Sequence, residues 1–412
     1  MPIRASRCPE WVEKWLFGMP GRLALAMKVV VAHNRYASTA PSGENAIVDA
    51  EIAQLRAAGV EVVPFLRSSD DIGGLPAVQK ALLPVSPLYN RWAQRDLAAL
   101  LAEHRPDVLH LHNPYPLLSP WVVRTAHRHG VPVVQTVHNY RQVCAPGVYF
   151  RDGHVCYDCR GRRFGVPGIV HACYRGSRAQ SAIMVTTLAL HRSTWRGVDR
   201  YIALTDALAA HLRDFGIPAG RIVVRPNGIP DLGPPPAGTG TGTGFLFAAR
   251  LSPEKGLALL LDAWHRHEPG ALGPLRIAGD GPLRPLAERA AAQRNDVTYL
   301  GPLNPAEVRA AIEEAACVVV PSTWHDVLPT IAIEALAGGR PVLGTAMGGI
   351  PYVIGTAGWV VDPDPAALAD GLARAAASAG ALTGAARDRY EKAFSPDRLT
   401  HSLIDVYASV AR

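Results

Sequence analysis

The chain has 412 residues, 48% of them hydrophobic and 19% charged, which suits two or three domains with sizeable cores and excludes a disordered chain. Its longest apolar stretches, such as Ala182–Leu190, reach about half of the ~20 residues a bilayer span needs, and six cysteines in this length exclude a small disulfide scaffold. The net charge of +7 is uneven: residues 1–243 hold 27 Lys and Arg against 17 Asp and Glu, whereas residues 244–387 hold 11 against 14. A basic first part suits an anionic acceptor or an acidic membrane surface; with no nucleic-acid-binding motif beside it, no nucleic-acid partner is expected.

Glu10, Glu13 and Lys14 interrupt any apolar signal core, so no secretory signal is read over residues 1–26. Met27-Lys28 leads straight into an apolar strand, and residues 1–26 are taken as an extension. A cytoplasmic enzyme follows, with peripheral contact to the inner face of the membrane.

Lys28–His33 reads as a buried strand, followed by a polar loop, Asn34–Glu44, and a helix from Ala46 to Ala58 that Gly59 ends. Val60–Phe65 is the next strand. The grammar repeats through helix Leu97–His104, strand Val108–Leu111, helix Trp121–His129 and strand Pro132–Val137, and closes with strand Arg200–Leu204, helix Asp206–Phe215 and strand Ile222–Arg225. Pro226–Gly244 is too rich in Gly, Pro and Thr to build a core and reads as a linker.

The second half repeats the alternation. Strands are expected at Phe245–Ala249, Leu275–Ala278, Val297–Leu300, Cys317–Val320, Pro341–Thr345 and Trp359–Val361, with helices at Gly256–His267, Leu283–Arg294, Pro305–Ala315 and Thr330–Gly338. Strands alternating with helices argue for an α/β protein with two Rossmann-like doubly wound domains facing across a cleft, where loops at the strand C-termini bind ligands.

Four segments of the second half sit at those strand ends. Arg250 and Lys255, five residues apart just before a helix, suit a diphosphate. Ala278-Gly279-Asp280-Gly281-Pro282 is a tight strand-to-helix turn that lets backbone approach a ligand. Asp326 lies on a loop entering a helix and Glu334 one turn inside it, both suited to accepting bonds from sugar and ribose hydroxyls. Gly348-Gly349-Ile350-Pro351 is a further glycine turn.

With RLSPEKG, AGDGP, YLGPL and PSTWHDVLPTIAIEALAGGRPVLGTAMGGIP in this order, the chain resembles the retaining GT-B glycosyltransferases of family 4 over nearly its whole length from Met27. The resemblance implies that Arg250 and Lys255 hold the donor diphosphate and that Glu334 binds the ribose. It implies too that the backbone around Gly279–Gly281 and Leu300-Gly301 faces the nucleotide base. The family usually carries Glu where this chain has Asp326, one methylene shorter. His33–Gly43, ending Pro41-Ser42-Gly43, resembles the family's glycine loop beside the donor phosphates. Gln135–Asn139 resembles the strand end whose histidine, here His138, sits beside the reacting sugar. The domains implied are 27–228 on the acceptor side, a linker at 229–244, a donor domain at 245–387, and a helix at 388–412 returning to the first domain.

His110 and His112 end a strand and look like metal ligands; sharing one face, they need further ligands, and lining of the cleft ranks first. Cys144-(x11)-Cys156-(x2)-Cys159-(x13)-Cys173 places four of the six cysteines in a basic, turn-rich loop over residues 141–178. A structural zinc on these four is the leading reading, against two disulfides, free thiols or an iron–sulfur cluster. The loop directly follows His138 and is expected to shape the acceptor side.

The expected activity is retaining transfer of a sugar from a UDP- or GDP-sugar to a sugar, glycolipid or small-molecule acceptor, as in polysaccharide or natural-product biosynthesis, with no catalytic cofactor. His138, Asp326 and Glu334 are the expected catalytic set. The alternatives are a GT-B nucleotide-sugar epimerase, a nucleotide-sugar-binding pseudo-enzyme, and a nucleic-acid-binding protein with a zinc module.

Overall fold

The structure is a computed structural model that describes residues 27–39, 43–231, 233 and 242–411. The extension over 1–26, Pro41-Ser42 of the glycine loop, and Leu232 and 234–241 of the linker lie outside the described residues.

The first unit contains β1 (Lys28–Arg35), α1 (Gly43–Ala57), β2 (Glu61–Ser68), α2 (Arg91–His104), β3 (Val108–Leu111) and β4 (Val133–Val137). After these come a two-stranded hairpin of β5 (Phe150–Arg151) and β6 (His154–Val155), then α3 (Arg178–Leu190), β7 (Arg200–Ala203), α4 (Asp206–Phe215) and β8 (Ile222–Val224). The sheet is parallel throughout, in the order β2-β1-β3-β4-β7-β8.

The second unit contains β9 (Phe245–Ala248), α5 (Leu257–Trp264), β10 (Leu275–Ala278), β11 (Val297–Gly301), β12 (Cys317–Val320), α6 (Thr330–Ala337), β13 (Val342–Thr345), α7 (Ile350–Ile354) and β14 (Gly358–Val361). Its parallel sheet runs β11-β10-β9-β12-β13-β14. The chain ends in α8 (Pro365–Ser378), α9 (Thr383–Ala393) and α10 (Pro396–Ala408).

Central strands such as β3, β4, β12 and β13 are buried at every position, because helices cover both faces of a parallel sheet. Val29, Val31, Val48 and Ile52 form the core on one face of the first sheet, and Leu403, Ile404 and Tyr407 of α10 complete it. Arg225, at the end of the first sheet, donates to the Leu399 carbonyl of α10 at 2.9 Å. The apolar core on the other face of the first sheet is continuous with second-unit residues, among them Val320, Val327 and Ile350.

Several elements differ from the sequence reading. Helix α2 begins at Arg91 instead of Leu97, because the Asn90 side chain caps it by accepting from the Ala93 amide at 3.2 Å; its polar first turn hides that start. The apolar run Ala182–Leu190 is the second half of α3, which Ser177 caps. Gly256 precedes α5 instead of opening it, and at φ +78° it stands where a Cβ would come within 1.8 Å of the Pro321 carbonyl oxygen.

Candidate functional site

A parallel sheet binds ligands where the strand order reverses. In the second sheet that point lies between β9 and β12, so Arg250 leaves the end of β9 and Asp326 follows the end of β12. In the first sheet it lies between β1 and β3, and the loop running to Gly43, His112 and, on the neighbouring strand, His138 emerge there.

The two rims enclose one cleft. A pocket is lined by Gly43 from the first unit and by Arg250, Lys255, Ser322, Asp326 and Thr330 from the second. A contiguous pocket adds Glu44, His138 and Trp324. Gly43, His138, Arg250, Lys255 and Asp326 are thus brought together.

Both cations are matched by carboxylates of the chain itself. Lys255 Nζ donates to Asp326 Oδ2 at 2.6 Å and stands 5.4 Å from the Trp324 ring centre. Arg250 Nη2 donates to Glu254 Oε1 at 2.7 Å, and Ser252 Oγ donates to the same oxygen at 2.7 Å. Burial pushes Glu254 up, but its bonds to Ser252 and Arg250 bring it below the ordinary carboxylate value. Sequence reasoning missed Glu254, although its place between Arg250 and Lys255 was visible.

The other expected donor residues are placed differently. Glu334 lies one turn inside α6 and is absent from the described pocket lining; its carboxyl bonds Thr330, and burial pushes its pKa up. At Gly279 (φ +128°) a Cβ would lie 1.9 Å from the Ala249 oxygen, and at Gly281 2.6 Å from the Leu251 oxygen. The close approach these glycines permit here is therefore to the Ala249–Leu251 backbone. Leu300 is exposed at the end of β11, beside Gly301, whose carbonyl accepts from the Gly279 amide at 2.8 Å. The Gly348-Gly349 turn holds Asp326 from behind, through a 2.7 Å bond from the Gly349 amide to the Asp326 carbonyl.

On the first-unit wall, His138 Nε2 and His112 Nδ1 are 2.9 Å apart, with the rings stacked. His112 Nε2 stands 3.3 Å from Glu51 Oε1, off the straight hydrogen-bonding line. Glu51 Oε2 meets Arg225 Nη1 at 3.2 Å, and His110 Nδ1 bonds the Tyr407 hydroxyl at 2.7 Å. Burial pushes Glu51 up, but His110, His112 and Arg225 outweigh it and hold the carboxyl well below its ordinary value. Burial holds His138 and His112 below theirs. With Glu51 ionised, the Nε2–H tautomer of His112 faces it, and His112 Nδ1 is left to accept from His138 Nε2–H.

Glu51 supplies the further ligand that His110 and His112 lacked in the sequence, and the three ligand atoms lie within 4.8 Å of one another. The Arg225 guanidinium already supplies the positive charge here, and Tyr407 occupies His110 Nδ1, so these groups make a self-contained buried ion-pair network. Glu44, buried and bonded to Tyr36, lies beside this wall; burial pushes its pKa up against the pull of His33, His112 and Arg141. No sequence motif marked Glu51 or Arg225, and Glu44, which closes the glycine-loop stretch, was given no role.

Cys144, Cys156, Cys159 and Cys173 lie in the loop between β4 and α3, with no disulfide joining them. Between the second and third of them, Tyr157 reaches across the cleft to bond His325, the residue before Asp326, with the rings stacked.

Residues 42–228 match the family described as glycosyl transferase 4-like domain, and residues 242–378 match glycosyl transferases group 1. A D-inositol 3-phosphate glycosyltransferase of Streptomyces avermitilis is 26% identical over 95% of this chain and 88% of its own. The putative colanic acid glycosyltransferase WcaL of Escherichia coli is 30% identical over 44% of this chain and 49% of its own. An uncharacterized glycosyltransferase of Methanocaldococcus jannaschii is 30% identical over 40% and 44%. The chain thus spans about half the length of these last two curated relatives. Among solved structures, sucrose-phosphate synthase of Thermosynechococcus elongatus superimposes with a TM-score of 0.68 at 20% identity, covering 93% of this chain and 99% of that one. HepE of Anabaena in complex with UDP and glucose gives 0.62 at 15% identity, over 93% and 100%. Both family domains match in order, and GT-B neighbours cover most of the described chain. The chain belongs to the group 1 glycosyltransferases of family 4.

Proposed function

We propose that this chain transfers a sugar from a nucleoside diphosphate sugar to an acceptor hydroxyl with retention of the anomeric configuration. The observation that carries the reading is the cleft pocket in which Arg250, Lys255 and Asp326 of one switch point face Gly43 and His138 of the other. Support for a uridine donor is that HepE, of the same architecture, was solved with UDP-glucose. Retention rests on the sequence resemblance alone.

The bond from the anomeric carbon to the diphosphate oxygen breaks as charge builds on the leaving group and on an oxocarbenium-like sugar, so stabilisation is chiefly electrostatic. Arg250 and Lys255 meet the leaving diphosphate, and the amides opening α1 at Gly43 add the positive end of a helix. The acceptor oxygen bonds the same face of the sugar, and its proton passes to the departing phosphate oxygen. His138, kept neutral by burial, orients the sugar without adding positive charge beside it. Asp326 takes a sugar hydroxyl once Lys255 turns to the phosphates, and Glu334 takes the ribose.

The acceptor enters on the first-unit side, where Gln135, Asn139 and Arg141 line a polar recess beside His138. Peripheral contact with an acidic membrane belongs to this reading: Phe164, Val166 and Val170 are exposed beside Arg160, Arg162 and Arg163. No helix among the described residues is long and apolar enough to cross a membrane.

Calorimetric titration with UDP and GDP tests the donor site, alongside a Lys255→Ala/Glu334→Ala variant. Binding of one nucleotide, lost in the variant, is expected. A folded protein that binds neither nucleotide sinks the reading.

A further inference from the structure

We propose that Cys144, Cys156, Cys159 and Cys173 form a structural zinc site that orders the loop between β4 and α3 and so fixes Tyr157 against the donor half of the cleft. The inference does not depend on the transferase reading, because it concerns how this loop is held.

Tyr140, Ala145 and Tyr149 anchor the start of the loop in the first-unit core, but beyond Tyr149 it has little to hold it. Over residues 139–177 the regular structure is the two-residue hairpin strands β5 and β6 and a short helix at Val166–Val170. Beyond Tyr149 its side chains add only partly buried contacts, such as Val155, Ile169 and Tyr174, to that core. Against this, Tyr149, Asp152, Ala172 and Arg175 all have φ near +50°. These are four of the six non-glycine residues with positive φ among the described residues. Each such residue costs of order 1 kcal/mol or more and persists only where its surroundings dictate it. Ala172 is adjacent to Cys173, so one strained residue leads directly into a thiol.

The sulfurs are surrounded as ligands are. The amides of Gly147, Val148 and Tyr149 contact Cys144 Sγ, an array of donors aimed at one sulfur by the turn that follows it. The turn is closed by the Gly147 amide donating to the Cys144 carbonyl at 2.9 Å, with Gly147 at φ +82°. The Gly168 amide contacts Cys159 Sγ, and the Arg151 side chain bonds Cys173. A Cβ on Gly165 would come within 3.1 Å of Cys159 Sγ, so a glycine leaves that sulfur its room. Hydrogen bonds to a ligating atom fix its orientation.

The four residues are tied to one another through the loop backbone. Cys156 follows the hairpin, its amide bonded to the Tyr149 carbonyl at 2.8 Å; Cys159 is three residues on; and the Cys173 amide bonds the Gly168 carbonyl at 2.9 Å, beside Cys159. Among the described residues no three of the sulfurs stand within 4.8 Å of one another. A tetrahedral site with Zn–S near 2.3 Å has sulfur–sulfur edges of about 3.8 Å, so ligation turns the side chains inward.

The test uses the full chain purified without a histidine tag and analysed for metals by mass spectrometry, with thiol alkylation followed in parallel. The expected result is one zinc per chain and four thiols that alkylate only after a chelator is added. Cys156→Ser/Cys159→Ser should lower zinc at least tenfold. Should that variant not fold, the zinc content and thiol protection of the unsubstituted chain still decide. Zinc below a tenth of an equivalent with all thiols reactive would overturn the proposal. So would thiols that react only after a disulfide reductant, or iron with a visible cluster absorption in place of zinc.

Discussion

Lys255 is tied to Asp326, and this gives opposite signs to two neighbouring substitutions. The pair is short, 2.6 Å, and largely enclosed, with side-chain exposures of 22% and 8%. A diphosphate must draw the ammonium away from the carboxylate or share it. Removing the ammonium (Lys255→Ala) deletes one charge-assisted bond to the nucleotide, worth about 1.5–3 kcal/mol, so UDP or GDP should bind about 10–150-fold more weakly. Asp326→Asn removes the competitor: nucleotide affinity should rise about fivefold, equivalent to about 1 kcal/mol, while transfer from the intact nucleotide sugar falls. Arg250, whose side chain is 68% exposed, is screened by water, and Arg250→Ala should cost only a few-fold. Calorimetry with the nucleoside, the nucleoside diphosphate and the nucleotide sugar separates the effects, because the nucleoside meets none of these charges. If Asp326→Asn weakened the diphosphate as much as Lys255→Ala does, the competition reasoning would be refuted.

Three further outcomes follow from the geometry. Glu51→Leu leaves Arg225 buried without its partner and should lower stability to urea by about 3–5 kcal/mol, whereas Glu51→Leu with Arg225→Met should recover most of it; equal loss in both variants would speak against the ion-pair network. Burial pushes His33 and His211 each down to about 4, so between pH 6.5 and 4 the unfolded chain binds protons that the folded chain does not. Stability should therefore fall with falling pH by about 1.4 kcal/mol per unit for each histidine. Glu44, pushed up by burial, acts oppositely just above its ordinary value, and a stability profile flat from pH 7 to 5 would contradict the two histidine assignments. In Gly349→Ala the new Cβ would stand 2.1 Å from the Val327 carbonyl oxygen and 2.7 Å from Thr205 Cγ2. Transfer should drop at least tenfold while the far-ultraviolet dichroism is retained, and an unchanged rate would show that the turn does not position Asp326.

Much of this architecture is readable from the residues because parallel strands buried on both faces announce themselves as short apolar runs. Val108–Leu111 and Cys317–Val320 are strands over those very residues. Helices starting with a polar turn or inserted in a loop are less visible, as at Arg91 and at Arg178–Leu190. The switch-point residues Arg250, Lys255 and Asp326 are legible because each sits just past a strand and their order forms a motif. The wall behind His138 is not, because Glu51, His112, Arg225 and Tyr407 come from four remote parts of the chain, and only the folded sheet brings them together. The Tyr157–His325 contact is hidden for the same reason, spanning 168 positions.

The placement of α10 bears on how the protein is made. Val29, Val31 and Val48 are synthesised early, yet Leu403, Ile404 and Tyr407 close over them only after the whole second sheet has been translated. From Gly228 to Leu399 is 171 residues, roughly 10–30 s of synthesis at typical elongation rates. During that interval a nascent first unit shows bare valines and an unsealed Arg225, a surface suited to a chaperone. The second unit's other core cluster is made wholly of its own residues, Phe245 to Ala379, and so needs nothing from α10 to close.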